Sequence, residues 1–366
     1  MKLVELFKEL VAIDSPSGEE QEVSDYICKY LKSLGLEPIQ DENFMIYCQV
    51  GEVSEKSVLF CAHLDTVEPG RGIRVIEEDG YLKSDGNTIL GADNKAAVTA
   101  ILSAVEKLIE DDAVPECGIE LLFTVREETD AGIRLFDRNL LRSKVAYVFD
   151  EGDGELNVLI KKAPTIQDFV ITIEGRSAHA ARPEQGINAL KVFSYFLSKT
   201  KLGKYDKLSN LNIGLFTGGS ATNTVPDRVV AKGDLRSLNH ERFLEIQAEV
   251  DDALDEASRK FGSRFSIEWI PYSFAYELDQ SNSNFKALKS TYRNKGLPLR
   301  LVQTTGGSDA GLLNHVGIES YSLGSGVENA HSCDERIRVR DLEVLRAVIL
   351  SLFIGLLTDI EIQQSV

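Results

Sequence analysis

The 366-residue sequence has little cysteine, a deficit of basic residues and no long apolar run. Its five cysteines are odd in number and include no C-x-x-C pair, which argues against a disulfide framework or a cysteine zinc cluster. Lysine and arginine total 40 against 58 acidic residues, and the net charge of −18 disfavours nucleic acid and anionic membranes as partners. No run approaches the ~20 apolar residues of a membrane span, and the first residues interleave charges with apolar side chains, unlike a signal peptide. We therefore expect a cytoplasmic protein with reduced, mostly buried thiols.

The apolar content of the chain is sufficient for a large core, because 43% of the residues are hydrophobic and 27% are charged. The length exceeds what one compact core usually holds, which predicts two domains or one elaborated α/β domain. Unbroken apolar runs at 58–62, 119–125 and 145–149 indicate strands covered on both faces. A helical pattern over 97–108 separates the first two runs and predicts a βαβ crossover.

Capping signals give expected helix boundaries. Two helices are predicted at the start of the chain, and Ser17 with Glu20 has the spacing of a capping box before the second. Gly35 is expected to end that helix. Asp93 or Asn94 is expected to cap the long helix that follows.

The pattern changes from about residue 165 to residue 274. Alternating strand-like segments and two helical segments follow in the order βαββαβ, which is typical of a small α+β sheet with helices on one face. We therefore predict an α/β catalytic domain over 1–164 and 275–366, with a mostly parallel sheet and helices on both faces. Residues 165–274 are predicted to form an α+β domain inserted into it.

Acidic and histidine residues follow the three apolar runs. His63 and Asp65 follow the first, Glu127 and Glu128 the second, and Asp150 ends the third. In an open α/β sheet the carboxyl ends of the strands border one ligand-binding crevice. These side chains are therefore expected to meet at one place.

Two further residues fit the same site. Asp93 lies in a small-residue turn before the long helix, and His331 follows a later strand-like segment. Two imidazoles with several carboxylates are typical ligands of paired zinc, cobalt or manganese ions. Glu151 and Asp153 compete with Asp150 for a ligand role. A thiolate ligand is an alternative because two cysteines lie within two residues of the proposed histidine ligands.

Six motifs occur in the order found in a known family. They are Leu59–Val67, Gly91–Val98, Thr124–Glu128, Gly175–Ala180, Gly186–Ala189 and Ala330–Ser332. Together they resemble the peptidase T-like branch of the co-catalytic zinc exopeptidases, over about residues 1 to 355. That family includes tripeptide aminopeptidases, dipeptidases, glutamate carboxypeptidases and amino-acid deacylases.

The resemblance implies roles for the metal-binding residues. His63 and Asp150 match the ligands of one zinc ion, and Glu128 and His331 match the ligands of the other. Asp93 matches the carboxylate that bridges them. Two such ions hold a shared water, lower its pKa and polarise the scissile carbonyl.

The resemblance also assigns catalytic residues. Asp65 matches the aspartate that orients the first histidine ligand, and Glu127 matches the general base. His179 in the inserted domain matches a histidine that stabilises the oxyanion, often in the opposite subunit.

Three residues match substrate-binding positions. Asn223 and Arg236 resemble residues that hold the substrate backbone or carboxylate, and Ser308 lies in a glycine-rich substrate loop. The alternative for Arg236 is an ion pair with a nearby aspartate of the inserted domain.

The expected protein is a dinuclear metallo-exopeptidase that releases the N-terminal residue of di- or tripeptides. The resemblance implies a homodimer formed through the inserted lid domain. An N-acyl-amino-acid deacylase or a carboxypeptidase would use the same site. A metal-binding protein without activity is a further alternative, although the presence of Glu127 argues against it.

Overall fold

The computed structural model describes residues 2–129, 132–152 and 154–363, with side chains as far as residue 353. The α-helices are α1 Leu3–Val11, α2 Gln21–Ser33, α3 Ala92–Glu110, α4 Ala189–Lys199, α5 His240–Phe261, α6 Ser283–Asn294, α7 Asp309–His315 and α8 Val339–Gln363. In the described ranges, no helix has both the length and the apolar character needed to cross a membrane.

The strands are β1 Ile39–Gln40, β2 Ile46–Val50, β3 Val58–His63, β4 Ile76–Glu78, β5 Tyr81–Lys83, β6 Ile119–Thr124, β7 Val145–Glu151, β8 Val158–Ala163, β9 Thr165–Glu174, β10 Gly203–Lys204, β11 Ser209–Gly218, β12 Arg228–Ser237, β13 Arg264–Ser273, β14 Tyr276–Glu277, β15 Arg300–Gln303, β16 Glu319–Gly324, β17 Val327–Glu328 and β18 Arg336–Arg338. Short 3-10 helices occur at Gly132–Leu135, Arg138–Leu140 and Pro183–Gln185.

The chain divides into two compact units. The first contains the residues up to Lys161, Leu278–Gln303 and the chain from Ser308 onward. The second contains Lys162–Glu277 together with the short return segment Thr304–Gly307.

The main sheet of the first unit runs in the order β1-β2-β6-β3-β7-β16-β8, and β15 also pairs with β8. The central strands β6, β3, β7 and β16 are parallel, whereas β2 and β8 pair with their neighbours antiparallel. Every residue of β3 and β6 is buried, so both faces of these strands are covered. The predicted mostly parallel sheet and the β3–α3–β6 crossover are confirmed.

Helix α2 begins later than the capping box predicts. Its N-cap is Glu20, which makes no side-chain cap hydrogen bond. The Ser17 hydroxyl instead donates to Asp65, and Glu20 accepts from the backbone N–H of Arg126. The capping-box expectation was therefore wrong, because both polar side chains make long-range contacts. Gly35 follows the helix at φ +82° and ends it as predicted.

Helix α3 begins without a side-chain cap, so the expectation that Asp93 or Asn94 caps it was also wrong. Both residues have non-helical backbone angles within its first turn. Asn94 donates through Nδ2 to Asp150 Oδ1, and the Asp93 carboxylate faces two histidines. The polar side chains of this turn are engaged with the neighbouring strand ends and are unavailable as caps.

The second unit has an antiparallel sheet in the order β10-β11-β12-β9-β13. The predicted order βαββαβ is confirmed, and the short strand β10 was not predicted. Its apolar core includes Phe169, Phe196 and Phe243, from one strand and two helices. Strand β14 pairs antiparallel with the end of β8.

All five cysteines are free, and four of them are buried, as predicted. Cys333 is the exposed exception.

The first unit also has a smaller four-stranded sheet in the order β17-β18-β5-β4.

Candidate metal centre

The parallel strands bring the candidate ligands to one edge of the main sheet. His63 is the last residue of β3, and Asp150 lies at the end of β7. Glu128 lies shortly after the end of β6, Asp93 lies in the first turn of α3, and His331 follows β17. Because β3, β6 and β7 run in the same direction, their carboxyl ends lie side by side.

Asp93 lies between the two histidines. Its Oδ1 is 3.4 Å from His63 Nε2, and its Oδ2 is 3.5 Å from His331 Nε2. Asp150 Oδ1 is 3.2 Å from His63 Nε2, and Glu128 Oε1 is 2.8 Å from His331 Nε2. Each imidazole therefore has one carboxylate of its own and shares Asp93 with the other.

The chemistry of these donors fits divalent cations. His63, Asp93 and Glu128 each offer a ligand atom, and the three atoms lie within 4.8 Å of one another. Imidazole nitrogen and carboxylate oxygen are ligands that zinc, cobalt and manganese accept. Carboxylates clustered around two imidazoles repel one another, and the positive charge of a metal ion would stabilise the cluster.

Asp65 connects the first histidine to the loop after β6. It is fully buried, and its Oδ1 and Oδ2 accept from the backbone N–H groups of Glu127 and Glu128 at 2.9 and 3.1 Å. The Ser17 hydroxyl donates to its Oδ2 at 2.6 Å. His63 Nδ1 is 3.0 Å from the Asp65 carbonyl oxygen, so an Nδ1–H donor leaves the Nε2 lone pair facing the carboxylates.

Burial and charge shift the pKa values of these groups in opposite directions. Burial opposes protonation of His63, but Asp150, Asp65 and Asp93 outweigh it and raise the pKa of its imidazole. Hydrogen bonds that its imidazole donates to the carboxylates of Asp93 and Glu128 raise the pKa of His331 to about 10.

The acids of the site also shift. Burial raises the pKa of Asp150 to about 7. Burial would also raise the pKa of Asp93, but the two histidines lower it below its usual range. Burial, followed by the charge of Asp150, raises the pKa of Glu127 well above its ordinary value.

The contacts of the neighbouring side chains distinguish the alternative ligands for the first metal ion. Glu151 accepts a hydrogen bond from Ser322 of β16, whereas its neighbour Asp150 faces His63. Asp153 lies outside the described residues. The thiol of Cys61 is fully buried and donates to Asp309 Oδ2 at 3.7 Å, and burial raises its pKa well above the ordinary value.

Two buried acids that the sequence analysis did not select also support the site. Asp309 accepts from the Thr124 hydroxyl and from the backbone N–H of Ile133, at 2.7 Å each. Glu335 accepts from three backbone N–H groups around Asp93. Neither residue follows an apolar run, so the signal that identified the candidate ligands does not identify them.

In the second unit, His179 and Asn223 are exposed neighbours. The Ala180 N–H donates to the Asn223 carbonyl, and His179 Nδ1 accepts from the Ala181 N–H at 3.1 Å. Neutral His179 therefore carries its proton on Nε2.

The other candidate substrate residues differ in their surroundings. Arg236 donates from Nε to Asp234 at 2.7 Å and from Nη1 to the Thr305 carbonyl at 3.1 Å, so the ion pair considered as its alternative is present. Ser308, in the first unit, is the N-cap of α7 without a side-chain cap hydrogen bond.

The fold and this donor cluster define a metal-dependent peptidase. The sequence profile of peptidase family M20/M25/M40 matches residues 59–354, and the chain belongs to that family. An uncharacterized Bacillus subtilis protein, YqjE, is 32% identical over 352 residues, covering 93% of this chain and 94% of its own.

Two solved structures resemble the chain over nearly its whole length. A Staphylococcus aureus tripeptidase aligns with a TM-score of 0.86, and the Bacillus cereus aminopeptidase PepT aligns with 0.83. Each is 30% identical, with 97% of this chain and 98% of the other covered. The predicted membership of a peptidase T-like family is confirmed.

Proposed function

We propose that the chain is a dinuclear metallo-exopeptidase that releases the N-terminal residue of di- or tripeptides. The observation that carries the proposal is the position of Asp93, with one carboxylate oxygen toward each histidine. A carboxylate placed in this way is suited to bridge two ions. The similarity to a tripeptidase and to an aminopeptidase supports short peptides as substrates.

The proposed ligands form two overlapping sets. His63 and Asp150 would hold one ion, Glu128 and His331 would hold the other, and Asp93 would belong to both sets. Zinc suits this mixture of nitrogen and oxygen donors, and cobalt and manganese are alternatives. When bound, the ions supply Lewis acidity that polarises the scissile carbonyl and lowers the pKa of a water.

Glu127 is the proposed general base. Its backbone N–H is held by Asp65, next to that of Glu128, so one buried carboxylate fixes the backbone of both glutamates. Its side chain is only 6% exposed, and its pKa is raised above the ordinary value. A carboxylate with a raised pKa is suited to accept a proton from water and to return it to the departing amine.

His179 is the proposed oxyanion donor. Its Nδ1 accepts a backbone hydrogen bond, which leaves Nε2–H as the group that donates. A donor directed at the charge that develops on the carbonyl oxygen lowers the barrier. Action across a dimer, in the active site of a second subunit, is part of the proposal.

The proposed substrate contacts are Asn223, which lies next to His179, Arg236 near the end of β12, and Ser308 in the glycine-rich loop. Asn223 would hold the peptide backbone, and Arg236 would bind the terminal carboxylate through its guanidinium group. Ser308 is the proposed contact of the loop.

The segment 165–274 is the proposed lid and dimerisation domain. On the outer edge of its sheet, β10 pairs with β11 at Asn210 and Leu211. Further along β11, Leu215 and Phe216 are 67% and 62% exposed. An apolar strand edge of this kind is suited to pair with a second copy.

The acidic composition supports an enzyme that binds neither nucleic acid nor anionic membranes, and a cytoplasmic location is part of the proposal. The proposed homodimer is tested by light scattering at micromolar concentrations, where a monomer would contradict it.

The proposed activity is tested by metal analysis together with hydrolysis of a substrate panel. Elemental mass spectrometry is expected to give about two zinc, cobalt or manganese ions per chain. Unblocked di- and tripeptides are expected to lose their N-terminal residue, and a chelator is expected to stop the reaction. N-acetylated peptides are expected to be inert.

His63→Ala provides the matched test, with His240→Ala as its control. His240 contacts Thr165 in the second unit and lies outside the cluster. We expect the first variant to lose metal and activity, and the second to keep both. Activity on acylated substrates alone would replace the peptidase with a deacylase. A wild-type protein without metal would contradict the proposed centre.

A further inference from the structure

Glu335 is a buried carboxylate enclosed by the turn that carries Asp93. Its side chain is 1% exposed. Its Oε2 accepts from the backbone N–H groups of Leu90 and Gly91 at 2.7 and 2.8 Å, and its Oε1 accepts from the N–H of Asp93 at 2.8 Å. Three donors from one turn therefore converge on a single side chain.

The same glutamate belongs to the loop that carries His331. Its own N–H donates to the Ser332 carbonyl at 3.0 Å. The Asn329 side chain donates to the Asp334 carbonyl at 3.3 Å, which closes the loop on itself. The Glu335 side chain thus ties together two segments that are about 240 residues apart in the chain.

We propose that Glu335 is a positioning residue of the metal centre, which fixes the Asp93 turn against the His331 loop and thereby sets the position of Asp93 relative to the two histidines. The inference rests on the proposed function, because Asp93 is the ligand that both ions would share. It goes beyond the ligand set, since Glu335 accepts from backbone N–H groups and is not one of the proposed ligands.

The chemistry of the side chain explains why a glutamate is needed. An ionised carboxylate has only acceptors, and its two oxygens match three N–H donors. A glutamine of the same size would place its NH2 group against a backbone N–H, which leaves that buried donor without an acceptor. Displacement of the turn would then move Asp93 relative to both histidines.

Glu120 offers a matched control. It is also fully buried and also accepts from backbone N–H groups, those of Arg142 and Ser143. It lies near the start of β6, whereas the candidate ligands gather at the strand ends. Glu120→Gln therefore makes the same chemical change in the same unit without touching the Asp93 turn.

The test compares wild type, Glu335→Gln and Glu120→Gln. Zinc affinity is measured on chelator-stripped protein by competition with a chromophoric chelator, and the visible spectrum is recorded with cobalt(II). For Glu335→Gln we expect zinc affinity to fall about 10- to 100-fold, with a changed cobalt spectrum and a lower kcat at little-changed KM. For Glu120→Gln we expect a lower melting temperature with unchanged zinc affinity and spectrum.

Three results would overturn the inference. The first is wild-type zinc affinity and spectrum in Glu335→Gln, and the second is an equal loss in Glu120→Gln, which would indicate general destabilisation. If Glu335→Gln does not fold, Glu335→Asp is used instead, which keeps both acceptor oxygens but draws them back by one methylene. The third result is wild-type metal binding in Glu335→Asp, which counts against the inference. A wild-type protein that binds no zinc or cobalt contradicts the metal centre itself, whereas loss confined to the variants leaves the proposed function intact.

Discussion

The two units differ in where they place their charges. Among the described residues of the first unit, the buried acidic, basic and histidine residues are Glu20, His63, Asp65, Lys95, Glu120, Glu127, Asp309 and Glu335. In the second unit, whose residues are all described, the buried polar side chains are the hydroxyls of Thr165, Ser209, Ser237, Ser258 and Ser273. The charged groups of the second unit lie at its surface, many of them in ion pairs.

This difference indicates which unit contains the energetically unfavourable buried charges that catalysis requires. A buried charge is expensive unless it is paired or binds a metal, so a fold with several of them is under functional constraint. The second unit is held by an apolar core around Phe169 and Phe243 and buries no charged residue. Apart from Arg236, the proposed carboxylate contact, substitutions of charge are therefore expected to affect function in the first unit and mainly stability in the second.

The largest effect is expected from Glu127→Gln. Loss of the general base should lower kcat by about 10²- to 10⁴-fold, while the metal content stays at the wild-type value. Steady-state kinetics on a tripeptide and elemental analysis of the same sample check this. Wild-type turnover would remove Glu127 as the base.

His179→Ala tests whether the second unit contributes to the chemistry despite its lack of buried charge. Removal of one oxyanion donor is expected to lower kcat by about 10²- to 10³-fold without changing metal content or melting temperature. His240→Ala is the control within the same unit. If the two variants were equally active, the second unit would have no catalytic donor at this position.

Asp65→Asn tests whether the buried carboxylate of Asp65 holds the loop after β6 in position. The amide would place a donor against a backbone N–H of Glu127 or Glu128, so metal affinity should fall about 10- to 100-fold. Competition with a chromophoric chelator measures the change. Unchanged affinity would mean that the loop after β6 keeps its position without this carboxylate.

Asp206→Asn is expected to have the smallest effect, and one confined to stability. Slight burial would raise the pKa of Asp206, but the hydrogen bond from Arg242 at 2.9 Å outweighs it and lowers the pKa. The stabilisation is therefore present above the unfolded pKa of about 4 and is lost as the pH falls through the lower folded value.

Melting temperatures of wild type and Asp206→Asn should accordingly differ at neutral pH and converge as the pH falls below about 4. Added salt should also reduce the difference. A difference in melting temperature that does not change with pH would indicate that the effect arises from packing. Activity per folded chain is expected to be unchanged.

The sequence predicted the strands more reliably than the helix starts. Unbroken apolar runs identified β3, β6 and β7, because strands covered on both faces have no solvent-facing position to mark with a polar residue. Local capping rules failed at Ser17 and Asp93, because these side chains contact residues far away in the chain.

The same limit applies to the site. Candidate ligands could be predicted because parallel strands end at one edge of the sheet, so position after an apolar run is informative. Glu335 and Asp309 could not be predicted, since their partners are backbone N–H groups of remote segments. A hydrogen bond to a distant backbone leaves no spacing pattern in the sequence.

The sequence by itself determined the α/β class, the inserted α+β segment and the residues available as ligands, because these depend on local periodicity and residue chemistry. Only the tertiary structure decided that Asp93 faces both histidines and that Asp150, rather than Glu151, faces His63. Those orientations arise where separate segments of the chain meet, and no local rule specifies the angle at which they do so.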